Sequence, residues 1–302
     1  VVAFGHAGAL TCTDPFGRAC TGELVDLAGD LSDVDVLAGD HTGRQVNLTT
    51  DDADGEPILV TENLSKGARF TEIKLVTDAD GTLLYKTARW HRPWNMGVSP
   101  NGPITSLIAA LKVDLAPILN EQVGTSTVEI PRADPCGNAE GRSCESLEGN
   151  LVTDAQRAKY GVDFAFTNAG GLRADLTCLA GETLDSNGQP CRDGSDRFII
   201  RKGGVLSMLP FGNISVTGQV TGEEIKTYLE NGVSQIGGGR FIQVSGLRFQ
   251  YDPAQSPGSR VSAAWRFDGA VQGAALDLTS ASSYTIAIND FMAAGGDGYP
   301  NV

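Results

Sequence analysis

The chain has 302 residues, of which 41% are hydrophobic, and a formal net charge of −14. An acidic excess of this size argues against nucleic-acid polymers and anionic membrane surfaces as partners, because both need a basic protein face. No run reaches the roughly 18 consecutive apolar residues that a membrane span needs, so we expect no span. The sequence does not indicate an oligomeric state.

Two apolar segments near the start of the chain each lead to a histidine. Val1–Phe4 precedes His6, and Val34–Ala38 precedes His41. These are two of the three histidines in the chain. Because the ends of neighbouring strands meet at one edge of a sheet, imidazoles placed there can bind a metal ion. A single histidine more often has a structural role, so a metal site at His6 and His41 needs support from a wider pattern.

A hairpin and a helix are predicted next along the chain. Phe70–Thr77 and Thr82–Trp90 alternate between apolar and polar residues around an Asp-Ala-Asp-Gly turn, which predicts a β-hairpin. Arg92-Pro93-Trp94-Asn95 ends the hairpin pattern, which indicates a domain boundary near residues 92–103. From Pro103, apolar residues recur at helical spacing and predict an amphipathic helix, whose apolar stripe can pack on a domain. The stripe consists of Ile104, Leu107, Ile108, Leu111, Leu115 and Ile118.

Two further elements are predicted after this helix. Ser126–Ile130 begins a second domain, and Thr221 with Glu224 matches a capping box that opens a helix through Leu229. No internal repeat and no low-complexity stretch interrupts this part of the chain.

The six cysteines fall into three close pairs, Cys12 with Cys20, Cys136 with Cys144, and Cys178 with Cys191. Each pair spans a polar loop, whereas zinc sites use C-x-x-C doublets or interleaved histidines, which the chain lacks. We therefore expect local disulfides and an oxidising compartment, which makes the protein extracellular, cell-surface or periplasmic. A bridge between Cys136 and Cys144 brackets Arg142 and would hold this guanidinium towards a pocket.

Three glycine-rich segments offer side chains suited to a sugar and a flat ring. Asp297 can accept hydrogen bonds from a diol, and Asn168 with Arg173 suits an anion or a hydroxyl-rich ligand. Phe211 and Phe291 can stack on a heterocycle. Taken singly, glycine turns and core packing are the commoner explanations of such residues. The segments are Thr167–Arg173 with Asn168, Gly170, Gly171 and Arg173, Leu209–Asn213 with Phe211 and Asn213, and Asn289–Pro300 with Phe291, Gly296 and Asp297.

In this order and spacing the segments match N-x-G-G-x-R, P-F-G-N and F-x-x-x-G-G-D-G-Y. The combination resembles the C-terminal substrate-binding domain of the 5'-nucleotidase family, of the ecto-5'-nucleotidase and periplasmic UDP-sugar hydrolase type. Arg142, seven residues before the glycine of Gly149-Asn150-Leu151, matches a fourth family element. The resemblance covers residues 124–302. It implies a base stack at Phe211 and Phe291, a base-edge contact at Asn213, ribose binding by Asp297, and a ribose and phosphate side at Arg142, Asn168 and Arg173.

The resemblance also implies that residues 1–95 end a metallophosphatase domain, with His6 and His41 as metal ligands. The family uses two divalent ions, zinc, manganese or cobalt, to polarise the phosphate and generate the attacking hydroxide. Two departures leave this centre incomplete. Gly43 stands where the family has a ligand of the other metal, and no D-x-H, G-D or G-N-H-[DE] element precedes this stretch. We expect the chain as given to lack nucleotidase activity.

The sequence thus predicts an α+β protein in three parts. They are the C-terminal part of an α/β/β/α metallophosphatase domain at 1–95, an interdomain linker helix at 96–123, and a 5'-nucleotidase C-terminal domain at 124–302. The expected function is that of a secreted phosphoesterase that hydrolyses nucleoside monophosphates or UDP-sugars, present here as a fragment that keeps the nucleoside-binding domain. The alternative is a catalytically inactive nucleoside-binding or structural exported protein on the same scaffold.

Overall fold

The computed structural model describes residues 1–65, 67–93, 97–178, 183–184 and 189–301, and the chain divides into two compact units, Val1–Gly102 and Pro103–Val302. Each unit mixes helix and sheet, in agreement with the predicted α+β class. The predicted boundaries at residues 95 and 123 stay predictions, and Trp94–Met96, beside the first of them, lie outside the described residues.

The first unit is built on a four-stranded sheet. In the order of pairing, its strands are β1 (Val2–Phe4), β4 (Val36–Ala38), β6 (Pro57–Glu62) and β5 (Val46–Asp51). Strands β1, β4 and β6 are parallel, and β5 is antiparallel to β6. Val36, Leu37 and Ile58 are buried, as is typical of parallel strands covered on both faces. Leu24 of helix α1 packs on one face. The elements are β1 (Val2–Phe4), β2 (Thr11–Cys12), β3 (Cys20–Thr21), α1 (Glu23–Asp30), β4 (Val36–Ala38), β5 (Val46–Asp51), β6 (Pro57–Glu62), β7 (Phe70–Thr77) and β8 (Leu83–His91).

The predicted hairpin is confirmed, with β7 and β8 paired antiparallel from Phe70 opposite His91 onwards. Asp78 closes the turn, because its Oδ1 accepts hydrogen bonds from the backbone N–H groups of Asp80 at 3.0 Å and Thr82 at 2.8 Å. Ala88 of β8 packs against Val36 and Leu59, so the hairpin covers the second face of the sheet.

The second unit is built on a mixed sheet in the order β12-β17-β10-β13. Strands β10 and β17 are parallel, and the outer strands are antiparallel to them. Phe164, Phe166, Tyr228 and Ile286 belong to its buried core. From Gly102 onwards the elements are α2 (Gly102–Leu119), β9 (Gln122–Ser126), α3 (Leu147–Tyr160), β10 (Phe164–Asn168), β11 (Phe198–Arg201), α4 (Lys202–Met208), β12 (Ser215–Thr221), α5 (Gly222–Ser234), β13 (Ile242–Ser245), β14 (Leu247–Tyr251), β15 (Val261–Phe267), β16 (Gln272–Ala275), β17 (Ser283–Asn289), α6 (Asp290–Ala293), and 3₁₀ turns at Ala169–Gly171 and Gly296–Gly298.

Helix α2 exposes its apolar side chains, and none of its residues is buried. Val113, outside the predicted stripe, is the most exposed of its large apolar residues at 72%. By length and composition alone, α2 is apolar enough to cross a membrane, although it contains Lys112 and Asp114. The absence of a membrane span therefore stays a prediction.

The capping box and the disulfides are confirmed. Thr221 Oγ1 accepts from the N–H of Glu224 at 3.2 Å, while Glu224 Oε2 accepts from the N–H of Thr221 at 2.7 Å. Helix α5 continues past the predicted Leu229 to Ser234. All six cysteines are bridged as expected, with Cα atoms 4.1 Å apart in Cys12–Cys20, 6.0 Å in Cys136–Cys144 and 5.6 Å in Cys178–Cys191.

Candidate functional site

Two asparagines lie side by side where the two parallel strands of the second unit end. Strand β10 ends at Asn168 and strand β17 at Asn289. Asn289 Nδ2 donates to Asn168 Oδ1 at 3.0 Å and to Thr167 Oγ1 at 3.3 Å, and all three residues are buried. Ligands of such sheets commonly bind beyond the carboxyl ends of parallel strands. This pair therefore forms the base of a candidate site.

Asp297 is held against the asparagine pair. Asn168 Nδ2 donates to Asp297 Oδ2 at 2.9 Å, and Asn231 Nδ2 of α5 donates to the backbone oxygen of Asp297 at 3.2 Å. The φ angle of Asp297 is 56°, in the left-handed region that residues other than glycine seldom occupy. A residue kept in such a conformation by its neighbours is typical of a functional position.

Glycines line the site where backbone segments approach each other. Gly170 N–H donates to Gly239 O at 2.7 Å, and a Cβ added to Gly170 would lie 3.0 Å from that oxygen. A Cβ added to Gly239 would lie 4.0 Å from Asp297 Oδ2, and one added to Gly171 would lie 3.3 Å from Asn168 Oδ1. A Cβ at Gly170 or Gly171 would therefore be crowded by these neighbours, whereas one at Gly239 would be in ordinary van der Waals contact.

The two residues predicted to stack on a base are exposed, Phe291 at 43% and Phe211 at 60%. The Phe291 ring lies directly on Gly296, because a Cβ there would lie 2.5 Å from Phe291 Cζ. Arg173 has its guanidinium carbon 5.7 Å from the centre of the Phe211 ring, and its Nη1 donates to Gly170 O at 3.4 Å. In the described part of the chain the two rings make no contact with each other, so neither covers a face of the other.

Arg142 lies in the loop closed by the Cys136–Cys144 bridge. Its backbone oxygen accepts from Gly237 N–H at 2.6 Å, two residues before the Gly239 that borders Gly170. Its Nη1 is 2.8 Å from Glu140 Oε2. Burial lowers the pKa of this guanidinium, and the Glu140 charge opposes that effect. Arg132 and Arg173 lower the pKa further, and Asp297 raises it, so Arg142 shares the field of the site.

The structure thus brings most of the predicted substrate residues into one region. Asn168 and Asp297 are hydrogen-bonded, Gly170 and Gly171 follow Asn168 in a 3₁₀ turn, and the glycine run Gly237–Gly239 joins Gly170 to Arg142 through backbone hydrogen bonds. Asn213 is exposed, with no hydrogen bond of its side chain among the described residues. The residues that sequence reasoning missed are Asn231, Asn289 and the run Gly237–Gly239.

In the first unit, His6 and His41 lie side by side. His41 Nδ1 and His6 Nε2 are 3.0 Å apart, and the rings meet edge to face. The other ring nitrogen of His6, Nδ1, is 2.6 Å from Asp40 Oδ1. A carboxylate on the second nitrogen orients histidine ligands in metal sites. The two facing nitrogens fit two ligand positions of one divalent ion.

Buried Glu62 of β6 connects the loops that carry these histidines. Its Oε2 accepts from Ala9 N–H at 3.0 Å, and its Oε1 accepts from Thr42 Oγ1 at 2.8 Å. His41 has a φ angle of 83°, so the loop after β4 holds it in an uncommon conformation. Gly43 has no side chain to offer as a ligand. Among the described residues, these loops therefore hold two imidazoles together, and Gly43 adds no further ligand.

Asp134, Cys136 and Cys144 form another group of possible metal ligands, but their chemistry excludes a metal site there. Their ligand atoms lie within 4.8 Å of one another. Both sulfurs are bonded to each other, and metals bind the thiolate form of cysteine.

Comparison with known proteins identifies the family of the second unit and several relatives of the chain. A family model described as 5'-nucleotidase, C-terminal domain, matches residues 122–302. The chain is 28% identical over 283 residues to the trifunctional nucleotide phosphoesterase protein YfkN of Bacillus subtilis, over 91% of this chain and 18% of YfkN. It is 26% identical over 334 aligned residues to the cell wall protein Lmo0130 of Listeria monocytogenes, over 99% of this chain and 37% of that protein.

A solved structure shares the fold. The crystal structure of a 5'-nucleotidase precursor from Thermus thermophilus aligns with a TM-score of 0.61 and 27% identity, over 91% of this chain and 53% of that one. The chain therefore spans less than two thirds of the length of each of these relatives. The family model covers every residue of the candidate site in the second unit. Through this C-terminal domain, the chain belongs to the 5'-nucleotidase family.

Proposed function

We propose that the second unit binds the nucleoside part of a nucleotide, and that the whole protein is a phosphoesterase that hydrolyses nucleotides. The observation that carries the proposal is the carboxylate of Asp297, held by Asn168 near the exposed ring of Phe291. A carboxylate accepts hydrogen bonds from two neighbouring hydroxyl groups, and an exposed ring stacks on a base. Ribose and base are the two parts of a nucleoside.

The remaining residues of the site complete this assignment. The planar guanidinium group can donate two hydrogen bonds to two oxygens of a phosphate, and its charge attracts an anionic ligand to a chain whose net charge is −14. The proposed roles are base stacking for Phe211 and Phe291, a base-edge hydrogen bond for Asn213, ribose hydroxyl binding for Asp297, and the ribose and phosphate side for Arg142, Asn168 and Arg173.

His6 and His41 are proposed to hold a divalent ion, with Asp40 orienting His6. Zinc, manganese or cobalt would accept imidazole together with oxygen ligands. Such an ion polarises a phosphate ester and activates water for attack on phosphorus. The name of YfkN supports a nucleotide phosphoesterase role, and the choice between nucleoside monophosphates and UDP-sugars as substrates remains part of the proposal.

An extracellular, cell-surface or periplasmic location is proposed as well. Three disulfides support it, because such bridges persist in oxidising compartments. A relative named as a cell wall protein supports it independently.

The test is calorimetric titration of the chain with adenosine and with free adenine. Binding by stacking and hydrogen bonds alone should give an adenosine affinity of roughly −4 to −6 kcal/mol, in the high micromolar to millimolar range. Asp297→Asn should weaken adenosine and leave adenine almost unchanged, because the partners of Asp297 are ribose hydroxyls. Asp268→Asn, which changes an aspartate of the β15–β16 turn, is the matched control.

Two results would contradict the proposal. One is the absence of adenosine binding at several millimolar, which favours an exported structural protein on this scaffold. The other is an equal loss of adenosine and adenine affinity in Asp297→Asn, which would place the ribose elsewhere.

A further inference from the structure

The backbone of loop 134–144 is fixed from both ends. Buried Asp134 accepts hydrogen bonds at 2.8 to 3.2 Å from four backbone N–H groups, those of Cys136, Asn138, Ser143 and Cys144. Gln243 Nε2 donates to Gly141 O and to Cys144 O, both at 3.0 Å. With the Cys136–Cys144 bridge, these contacts define where each side chain of the loop begins.

Two oppositely charged side chains of the loop, Glu140 and Arg142, form an ion pair. Glu140 Oε2 is 2.8 Å from Arg142 Nη1 and 3.6 Å from Arg132 Nη2. The Glu140 side chain is 45% exposed, whereas those of Arg142 and Arg132 are 19% and 11% exposed. One solvent-accessible carboxylate therefore lies between two largely buried guanidinium groups. A phosphate group favours the same position, because both anions pair with guanidinium groups.

The same guanidinium lies within the electrostatic field of the candidate nucleotide site, because the charges of Arg173 and Asp297 both act on it. Gly237 N–H donates a hydrogen bond to the backbone oxygen of Arg142, and Gly239 of the same glycine run accepts one from Gly170 N–H. Glu140 is thus placed to influence any negative charge that a ligand brings to Arg142.

We propose that Glu140 is a specificity-determining residue of the nucleotide site, because its carboxylate competes with the phosphate of a ligand for the guanidinium of Arg142. The inference rests on the proposed function, since it requires a nucleotide to bind beside Asp297. A nucleoside leaves the Glu140–Arg142 ion pair intact. A nucleotide must displace the Glu140 carboxylate or bind against its charge. Glu140 therefore reduces the preference of the site for phosphate-bearing ligands.

The test compares the affinities of adenosine and AMP for the parent chain and for Glu140→Gln, by calorimetry at low ionic strength. Exposed ion pairs are weak, so we expect the AMP affinity of Glu140→Gln to rise about two- to fivefold, with the adenosine affinity unchanged. In an Arg142→Gln background, the Glu140→Gln change should give no gain for AMP. This loss of effect distinguishes competition for Arg142 from a change in overall charge.

Glu121→Gln is the control, because it removes one charge from an exposed ion pair with Lys202, 3.2 Å long, that contains no residue of the site. An equal gain for AMP in Glu121→Gln would overturn the inference. So would an unchanged or lower AMP affinity in Glu140→Gln, which would mean that the ion pair only orients Arg142. If the parent binds adenosine and either of these results follows, the proposed function stands and this inference fails. If the parent binds neither ligand, both fail.

Discussion

The ring of Phe291 is accessible to a ligand and contributes little to the packing of the core. It is 43% exposed, and the face it covers is the bare backbone of Gly296. Phe291→Ala should cost about 1–3 kcal/mol of adenosine affinity through the lost stacking. It should destabilise the fold by much less than the roughly 3–5 kcal/mol of a core Phe→Ala. Adenosine titration and a thermal melt of the variant measure the two quantities.

Phe16→Ala is a matched control, since Phe16 is a 62% exposed phenylalanine of the first unit. It should change neither adenosine affinity nor the melting temperature appreciably. A Phe291→Ala protein that melts many degrees lower but binds adenosine like the parent would assign Phe291 to packing.

Glu148, near the start of α3, is a carboxyl group with no exposed surface. Neither of its oxygens has a hydrogen-bond partner among the described residues. Burial raises the pKa of Glu148 to about 8, with Arg132 opposing the rise and Asp175 adding to it. At neutral pH the folded protein therefore keeps this group mostly protonated.

This raised pKa makes stability depend on pH. Between the ordinary glutamate pKa of 4.5 and about 8, the folded state holds a proton that the unfolded state has lost. The free energy of unfolding should therefore fall as pH rises through this window, by an amount on the order of 3–5 kcal/mol. Glu148→Gln should remove that slope. Urea unfolding at about pH 5 and about pH 8 measures it.

Glu145, an exposed glutamate three residues before Glu148, provides the control. Glu145→Gln should keep the dependence of the free energy of unfolding on pH that the parent shows. A Glu148→Gln protein with the same pH dependence as the parent would show that other groups cause it.

At the scale of elements, helix α5 contacts the site through its last turn, and a capping box stabilises its first turn. Its capping box fixes the N-terminus, and Asn231 near its end donates to Asp297 O. Thr221→Ala removes the side-chain acceptor for Glu224 N–H and should cost about 0.5–2 kcal/mol of stability. The midpoint of urea unfolding measures the loss.

Thr227→Ala is the control on the same helix. Its hydroxyl donates to the Glu223 carbonyl at 3.0 Å and caps no helix end. Its effect should stay within about 0.5 kcal/mol, as is usual for surface changes. Equal losses in the two variants would mean that the capping box contributes nothing beyond an ordinary threonine.

The elements that sequence could predict depend on neighbours along the chain. The β7–β8 turn is closed by Asp78 within four residues, and the start of α5 depends on Thr221 and Glu224. The bridges join cysteines 8, 8 and 13 residues apart. In each case both partners of the interaction lie close together in sequence, so their residue types and spacing are enough to predict it.

Other features depend on partners far away in sequence. Asn231 and Asp297 are 66 residues apart, and Ala9 and Glu62 are 53 apart. An asparagine in a helix or a glutamate in a strand is usually exposed, and only tertiary contacts explain why these two face inwards. The motif residues Asn168 and Asp297 could be predicted because glycines mark their turns, whereas their supporting residues carry no local signal.

At the scale of the whole molecule, the two units have separate hydrophobic cores. One core includes Leu24 and Ile58, and the other includes Phe166 and Tyr228. The imidazole pair belongs to the first unit, and the proposed nucleoside residues belong to the second. We therefore expect that either of the two proposed binding properties can be removed without the other.

The double variant His6→Ala, His41→Ala should lose Co²⁺ binding, measured by visible absorption, and should keep the adenosine affinity of the parent. Imidazole is a good ligand for such ions, and the two facing nitrogens are the ligands that the geometry supplies. His91→Ala changes the remaining histidine, which lies 3.0 Å from Glu72, and should keep Co²⁺ binding. Unchanged cobalt spectra in the double variant would place the metal elsewhere.

The disulfide pattern has a consequence for how the protein matures. The bridges join the first cysteine to the second, the third to the fourth and the fifth to the sixth, across 8, 8 and 13 residues. In the oxidising compartment proposed for this chain, each cysteine would meet its native partner before any other, because short segments close quickly and longer ones cost more entropy. Oxidation in the order of synthesis would then yield the native set directly. Oxidative folding of this chain should therefore depend little on a disulfide isomerase, since there are few wrong pairings for such an enzyme to correct.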